Sequence, residues 1–154
     1  MQEKTNFIGQ AFYLSIGYSI PACLGVSMAD PDRRPIVFVG DGALQMTAQE
    51  LSTIIRHRLN PIIFLINNDG YTIERVIQDG SYNDIQPWKY HQLPHVFGKS
   101  WSCEVRTEGE LEVALATAQS NTDCLSLIEV HLDRLDCSQG LVRLGRALNQ
   151  ANSN

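Results

Sequence analysis

No apolar run in this 154-residue chain approaches the roughly 20 residues of a membrane-spanning helix, so no transmembrane segment is expected. A basic surplus is also missing. The net charge is -5 with Lys and Arg scattered, which argues against a nucleic-acid partner, whose phosphates want a basic face. Cysteine shows no metal-binding or redox-motif pattern: Cys23, Cys103, Cys124 and Cys137 have no CxxC spacing and no zinc-ligand spacing with histidine, although their even number is compatible with disulfides. Cys23 and Cys124 lie in apolar segments, where a free thiol packs as a small hydrophobe, so a reduced, cytoplasmic protein is expected. There is no internal repeat, low-complexity tract or obvious linker, and Met1 to Asn6 is polar without a basic-then-apolar order.

What is present is the composition of one ordinary domain: 44% hydrophobic and 19% charged residues, enough for a core. Ile36 to Val39 and Ile62 to Ile66 are short β-branched runs bounded by Pro and by Gly or Asn, as expected of strands buried on both sides of a parallel sheet. Trp101 to Val105 and Leu125 to Val130 are further strand candidates. Helical patterns separate them. Ile16 to Ala29 reads as a helix with Pro21 in its first turn. Thr47 to Glu50 and Thr107 to Glu110 both have capping-box form, followed by apolar faces at Leu51, Ile54, Ile55 and at Leu111, Ala114, Leu115, Ala118. Leu141 to Leu148 is amphipathic. The alternation predicts an α/β fold, a parallel sheet with helices on both faces. Tyr71 to His95, irregular and rich in Gly, Asn, Asp and aromatics, predicts a functional loop with a short helix.

Ligands of such sheets bind beyond the carboxyl ends of the strands. Two polar clusters fall there, Gly40-Asp41-Gly42 and Asn67-Asn68-Asp69-Gly70, separated by the 24 residues Ala43 to Ile66. One helix and one strand fill that spacer, so adjacent strands would set the clusters side by side. Asp41 offers a carboxylate oxygen, Asn68 an amide oxygen, and Gly70 a carbonyl that glycine torsions can turn inward. Three oxygens on one side make part of a Mg²⁺ octahedron, with phosphate and water supplying the rest. Gly42 lets a phosphate approach the backbone, and the helix start after it adds N–H groups.

This combination, continued by Tyr71-Thr72-Ile73-Glu74, Tyr82-Asn83-Asp84-Ile85-Gln86, Leu93-Pro94 and Phe97-Gly98, resembles the thiamine-diphosphate-dependent pyruvate, indolepyruvate and branched-chain 2-oxo-acid decarboxylases. The likeness runs from about Ser15 to Phe97 and more loosely to the C-terminus. It implies that residues 1–154 are the diphosphate-binding domain of such an enzyme, N-terminally incomplete, without the pyrimidine-binding and middle domains. It implies thiamine diphosphate and Mg²⁺ as cofactors, with Asp41, Asn68 and the Gly70 carbonyl on the metal. Gly40, Gly42, Ala43, Leu14, Ile16, Tyr71 and Ile73 would contact the cofactor or line its pocket. Ile16 would be the bulky residue that holds the cofactor bent, Ile73 would face the substrate, and Glu74 would lie beside the reacting carbon and serve the proton steps. The implied reaction releases carbon dioxide and an aldehyde from a 2-oxo acid, and the implied assembly is a dimer or higher. Three departures stand out: Ala43 replaces the family's serine, Leu14 replaces its glycine, and the threonine-bearing opening strand is not in this sequence. The family's activating glutamate lies in the pyrimidine-binding domain, so this chain alone is expected to be inactive.

Plainer readings stand beside these. Asp41-Gly42 alone is a turn, Asn67-Asn68 alone a helix cap, Glu74 alone a solvated carboxylate, and Ile16 alone a core residue. His91 and His95 read as surface or packing residues, and Trp88 and Trp101 as packing. His57 with Arg56 and Arg58 complements a helix C-terminus. Two other functions compete: a nicotinamide-binding unit, for which Gly40-Asp41-Gly42 begins the glycine fingerprint but Gln45 ends it, and a non-catalytic assembly or regulatory module.

Overall fold

The structure, a computed structural model, describes residues 6–10 and 13–152. Its strands are β1 (Ile36–Gly40), β2 (Ile62–Asn67), β3 (Trp101–Val105) and β4 (Ser126–His131), all parallel, in the order β1-β2-β4-β3. Successive strands are joined by helical segments, as the alternation predicts: β1 to β2 and β3 to β4 join neighbours, and β2 to β3 passes over the position of β4. One face is covered by α1 (Ser19–Ala29), α2 (Asp41–Thr47), α3 (Glu50–Arg56) and α5 (Leu93–Phe97), over a core that includes Ile20, Leu44, Leu51, Ile54, Ile63 and Leu127. The other face is covered by α6 (Glu108–Ser120), whose Ala114 and Ala118 admit close packing on Phe64 and Ile128. On a flank, α4 (Thr72–Ile77) meets α7 (Gln139–Asn152): a Cβ on Gly145 would lie 2.3 Å from Val76, and Asn149 Nδ2 donates to the Ile77 carbonyl at 2.6 Å.

Burial on both faces holds for β2 and fails for β1. Val37 and Val39 are buried, but Ile36 and Phe38 are 63% and 66% exposed. The helix on that side, α6, packs over β2, β3 and β4, so Phe38 is left stacked on Phe64 with its outer face open, ring centroids 5.0 Å apart.

The two expected capping boxes also diverge. Thr107 adopts extended torsions, accepts from Glu110 N, and the Glu110 carboxylate returns to the Thr107 N–H at 3.1 Å. Thr47 caps nothing. It ends α2, Ala48 and Gln49 after it keep helical torsions, and its hydroxyl donates to the Gly17 carbonyl at 2.9 Å. A cap needs an extended backbone at its own position, and the near-continuous run of α2 into α3 denies it. The first helix likewise starts at Ser19 rather than Ile16, with Pro21 in its first turn. Before it, Gly17 has φ +93°, and a Cβ there would lie 2.9 Å from Met46 Cβ, so this turn needs glycine.

Candidate functional site

β1 and β2 are adjacent, Gly40 pairing with Ile66, so both polar clusters emerge at the same end of the sheet. Gly40 is the extended residue before α2, and the space where its Cβ would stand is open. Asp41 opens α2 and is 1% exposed. Its carboxylate joins the clusters: Oδ1 accepts from Gly42 N at 2.7 Å and Oδ2 from Gly70 N at 2.9 Å. Burial pushes the Asp41 carboxyl above the ordinary carboxylate range. The Gly70 and Gly42 N–H groups pull it partly back, and the Asp69 charge adds to the rise.

Gly70 has φ +116°, and a Cβ would lie 2.5 Å from the Asn83 carbonyl and 2.6 Å from Arg75 Nη2. Only glycine fits, and with it the loop can present its N–H to Asp41. Asn68, half-buried, lies two residues before Gly70 and makes no side-chain hydrogen bond among the described residues. The Tyr71 ring closes over Gly42, whose Cβ would lie 2.4 Å from the ring edge. Ala43 packs against the core at the start of α2. Ile73, half-buried, and Glu74, exposed, occupy the first turn of α4 directly after the loop. Ile16 is 45% and Leu14 65% exposed, on the segment tied to α2 through Gly17 and Thr47. Leu14 has φ +46°, a conformation glycine adopts freely and leucine does not.

These donors suit a hard divalent cation. They comprise a buried carboxylate held by two N–H groups, an amide oxygen not engaged by described side chains, and a carbonyl on a glycine turn. A cation beside Asp41 would offset the cost of burying its charge.

A family model described as "Thiamine pyrophosphate enzyme, C-terminal TPP binding domain" matches residues 1–130. The chain belongs to this family. Thiamine diphosphate, with a divalent metal such as Mg²⁺, is therefore the cofactor of this TPP-binding domain, and the nicotinamide reading is set aside. The domain is 45% identical over 150 residues to an "Alpha-keto-acid decarboxylase" of Mycolicibacterium paratuberculosis (strain ATCC BAA-968 / K-10), covering 95% of this chain and 27% of that protein. It is 48% identical over 143 residues to a "Pyruvate decarboxylase" of Aspergillus terreus (strain NIH 2624 / FGSC A1156), covering 87% and 25%. The chain thus spans about a quarter of the length of the curated relatives it matches. The TPP-binding domain also superposes on the thiamine diphosphate-dependent 4-hydroxybenzoylformate decarboxylase of Rhodococcus jostii RHA1 with a TM-score of 0.71 at 24% identity, covering 77% of this chain and 23% of the other. For benzoylformate decarboxylase of Polynucleobacter necessarius the TM-score is 0.72 at 21% identity, covering 79% and 24%. Both likenesses speak for the fold of the TPP-binding domain. No helix among the described residues is long and apolar enough to cross a membrane.

Sequence reasoning missed the residues that hold the loop after β2. Arg75, buried in α4, donates from Nη2 to the Asp69 carbonyl at 2.6 Å, the Asn83 carbonyl at 3.2 Å and Asp84 Oδ1 at 2.9 Å. Arg134 also bonds Asp84, and its Nε lies 3.6 Å from the Asp69 carboxylate. Asn67 is joined to Glu129 of β4 at 2.7 Å. His91 was expected to be a surface or packing residue; instead its ring Nδ1 and backbone N–H both bond Glu129, at 2.7 and 2.9 Å. The one signal for this was Glu129 itself, an acid inside an apolar strand candidate.

Proposed function

We propose that this chain supplies the metal–diphosphate half of the active site of a 2-oxo-acid decarboxylase acting on pyruvate-like or indolepyruvate-like substrates. The observation that carries the reading is the buried Asp41 carboxylate, bound to the Gly70 N–H of the neighbouring loop, in which Asn68 lies two residues before Gly70. Asp41, Asn68 and the Gly70 carbonyl would hold Mg²⁺, and Gly40 leaves open space for the diphosphate. When bound, thiamine diphosphate supplies the electron sink for loss of carbon dioxide. Ile16 and Leu14 would support the rest of the cofactor, Tyr71 and Ile73 would line the pocket, and Glu74 would hold or deliver a proton at the reacting carbon.

A pyrimidine-binding domain, in a dimer or larger assembly, completes the site. Support comes from the exposed apolar side chains Tyr13, Leu14 and Ile16 on the segment before α1 and Met46 on α2, which a protein partner would cover. The free thiols of Cys23, Cys103, Cys124 and Cys137 agree with a cytoplasmic location. The test is carbon dioxide release from pyruvate, phenylpyruvate and indolepyruvate with thiamine diphosphate and Mg²⁺. The 154-residue chain alone is expected to be inactive and to gain activity with a matching pyrimidine-binding partner. Glu74→Gln should then remove about 10²-fold or more of the rate while cofactor still binds. Robust turnover by the chain alone would overturn this division of the site. Ala43, in place of a serine, favours a second reading, a non-catalytic assembly module. Cofactor binding without turnover in the completed assembly would select it.

A further inference from the structure

The buried carboxylate of Glu129 has no part in the reading above. It sits in the central strand β4, 2% exposed, in register with Leu65 of β2, so its side chain points to the face covered by α1, α2 and α3. An ionised group there is costly unless donors surround it, and they do. Oε2 accepts from the His91 backbone N–H and ring Nδ1 at 2.9 and 2.7 Å, and Oε1 accepts from Asn67 Nδ2 at 2.7 Å. His131 Nε2 lies 3.4 Å from Oε1.

The bond to Asn67 has a directional consequence. An asparagine amide has one donor end and one acceptor end. With Nδ2 committed to Glu129, Oδ1 must face the other way, and there it accepts from the Asp69 N–H at 3.4 Å. That contact spans Asn68 and starts the turn in which Asp69 takes φ +59° and Gly70 offers its N–H to Asp41. A carboxylate accepts only, so it can fix this polarity, which a neutral amide cannot.

We propose that Glu129 is a positioning residue for the metal site. It locks the Asn67 amide in the one orientation that sets the Asn68-Asp69-Gly70 turn. The proposal rests on the assignment of Asp41, Asn68 and Gly70 to the metal. Glu129→Gln keeps the shape of the side chain, but its amide can then donate to Asn67. The Asn67 amide turns over, and its Nδ2 is brought against the Asp69 N–H. Asn67→Asp sets two carboxylates against each other. Combined, the two changes restore complementarity with reversed polarity: Asp at 67 accepts from the glutamine amide and still accepts from Asp69, while the glutamine oxygen still accepts from His91.

The readout is the dissociation constant for Mg²⁺ at saturating thiamine diphosphate, measured by calorimetry on the holoenzyme, which needs no turnover. Glu129→Gln and Asn67→Asp should each weaken Mg²⁺ about 10- to 100-fold, and the double variant should return to within about threefold of the starting protein. Asn67→Ala, which leaves Glu129 and His91 in place, should show the same loss and serves if Glu129→Gln does not fold. Asp41→Ala is the control. If it leaves the Mg²⁺ constant unchanged, the metal assignment fails and this proposal with it. If Asp41→Ala abolishes binding while Glu129→Gln or Asn67→Ala stays within about twofold, the positioning role alone is overturned. A double variant no better than its worse single parent also overturns it.

Discussion

The loops after β1 and β2 meet at Asp41 but are built in opposite ways. The first has almost no length: Gly40 ends the strand, Asp41 begins α2, and Asp41 Oδ1 is satisfied by the next residue's N–H. The second makes a real turn, with Asp69 and Gly70 at positive φ, and its supports come from outside the loop, near and far in the chain: Arg75 and Asn83 beneath Gly70, Arg134 beside Asp69, Glu129 behind Asn67. The first loop is therefore set by its own sequence, whereas the second takes its shape from its surroundings. A metal ligand on the first should matter for binding and little for loop shape. A residue in the second should matter for both.

Asp41→Ala gives the largest expected effect on binding, a loss of ~3 to 5 kcal/mol of metal-dependent cofactor affinity, as for removal of a buried charged partner. Calorimetry with and without Mg²⁺ reads it, and unchanged affinity would separate the first loop from the metal. Gly70→Ala tests the second loop. Its added Cβ meets backbone oxygen and the Arg75 guanidinium at positive φ, so denaturant unfolding should show a loss of ~3 kcal/mol. Gly40→Ala, with open space at its Cβ, should stay within ~0.5 kcal/mol. Equal effects at the two glycines would break the comparison.

A third probe stands behind the first loop. Cys23 of α1 shares the core with Leu44 and Ala48, and burial pushes its thiol from 9.0 to about 11, with the Ser27 hydrogen bond pulling slightly back. Its folded value lies above its unfolded one. The stability it contributes is thus present below about pH 9 and is lost as pH rises through about 11, a change of ~2–3 kcal/mol. Cys23→Ala should flatten that slope in chemical denaturation between those pH values. The smallest effect is expected at Leu14, where leucine occupies torsions that cost it ~1 kcal/mol. Leu14→Gly removes that strain and adds unfolded-state entropy, for a net gain of ~0.5 kcal/mol in a thermal melt. A fall in stability would mean that the half-exposed leucine side chain holds the segment down.

The sequence by itself determined β1 and β2, because β-branched runs between Pro and Gly or Asn have few other solutions in a chain of this composition. It also made the motif legible, since Gly40-Asp41-Gly42 and Asn67-Asn68-Asp69-Gly70 are each short contiguous runs at the end of a strand candidate. The Thr107 box was legible because its partners lie three residues apart. Tertiary structure decided the rest. Thr47 lost its cap because α2 runs into α3, and β1 kept one face open because α6 packs over its neighbours. Glu129, Arg75 and His91 became supports of the second loop through contacts 6 to 62 residues away in the chain. A carboxylate's partners in a parallel sheet come from neighbouring strands and the loops above them, and no local pattern encodes which neighbours those are.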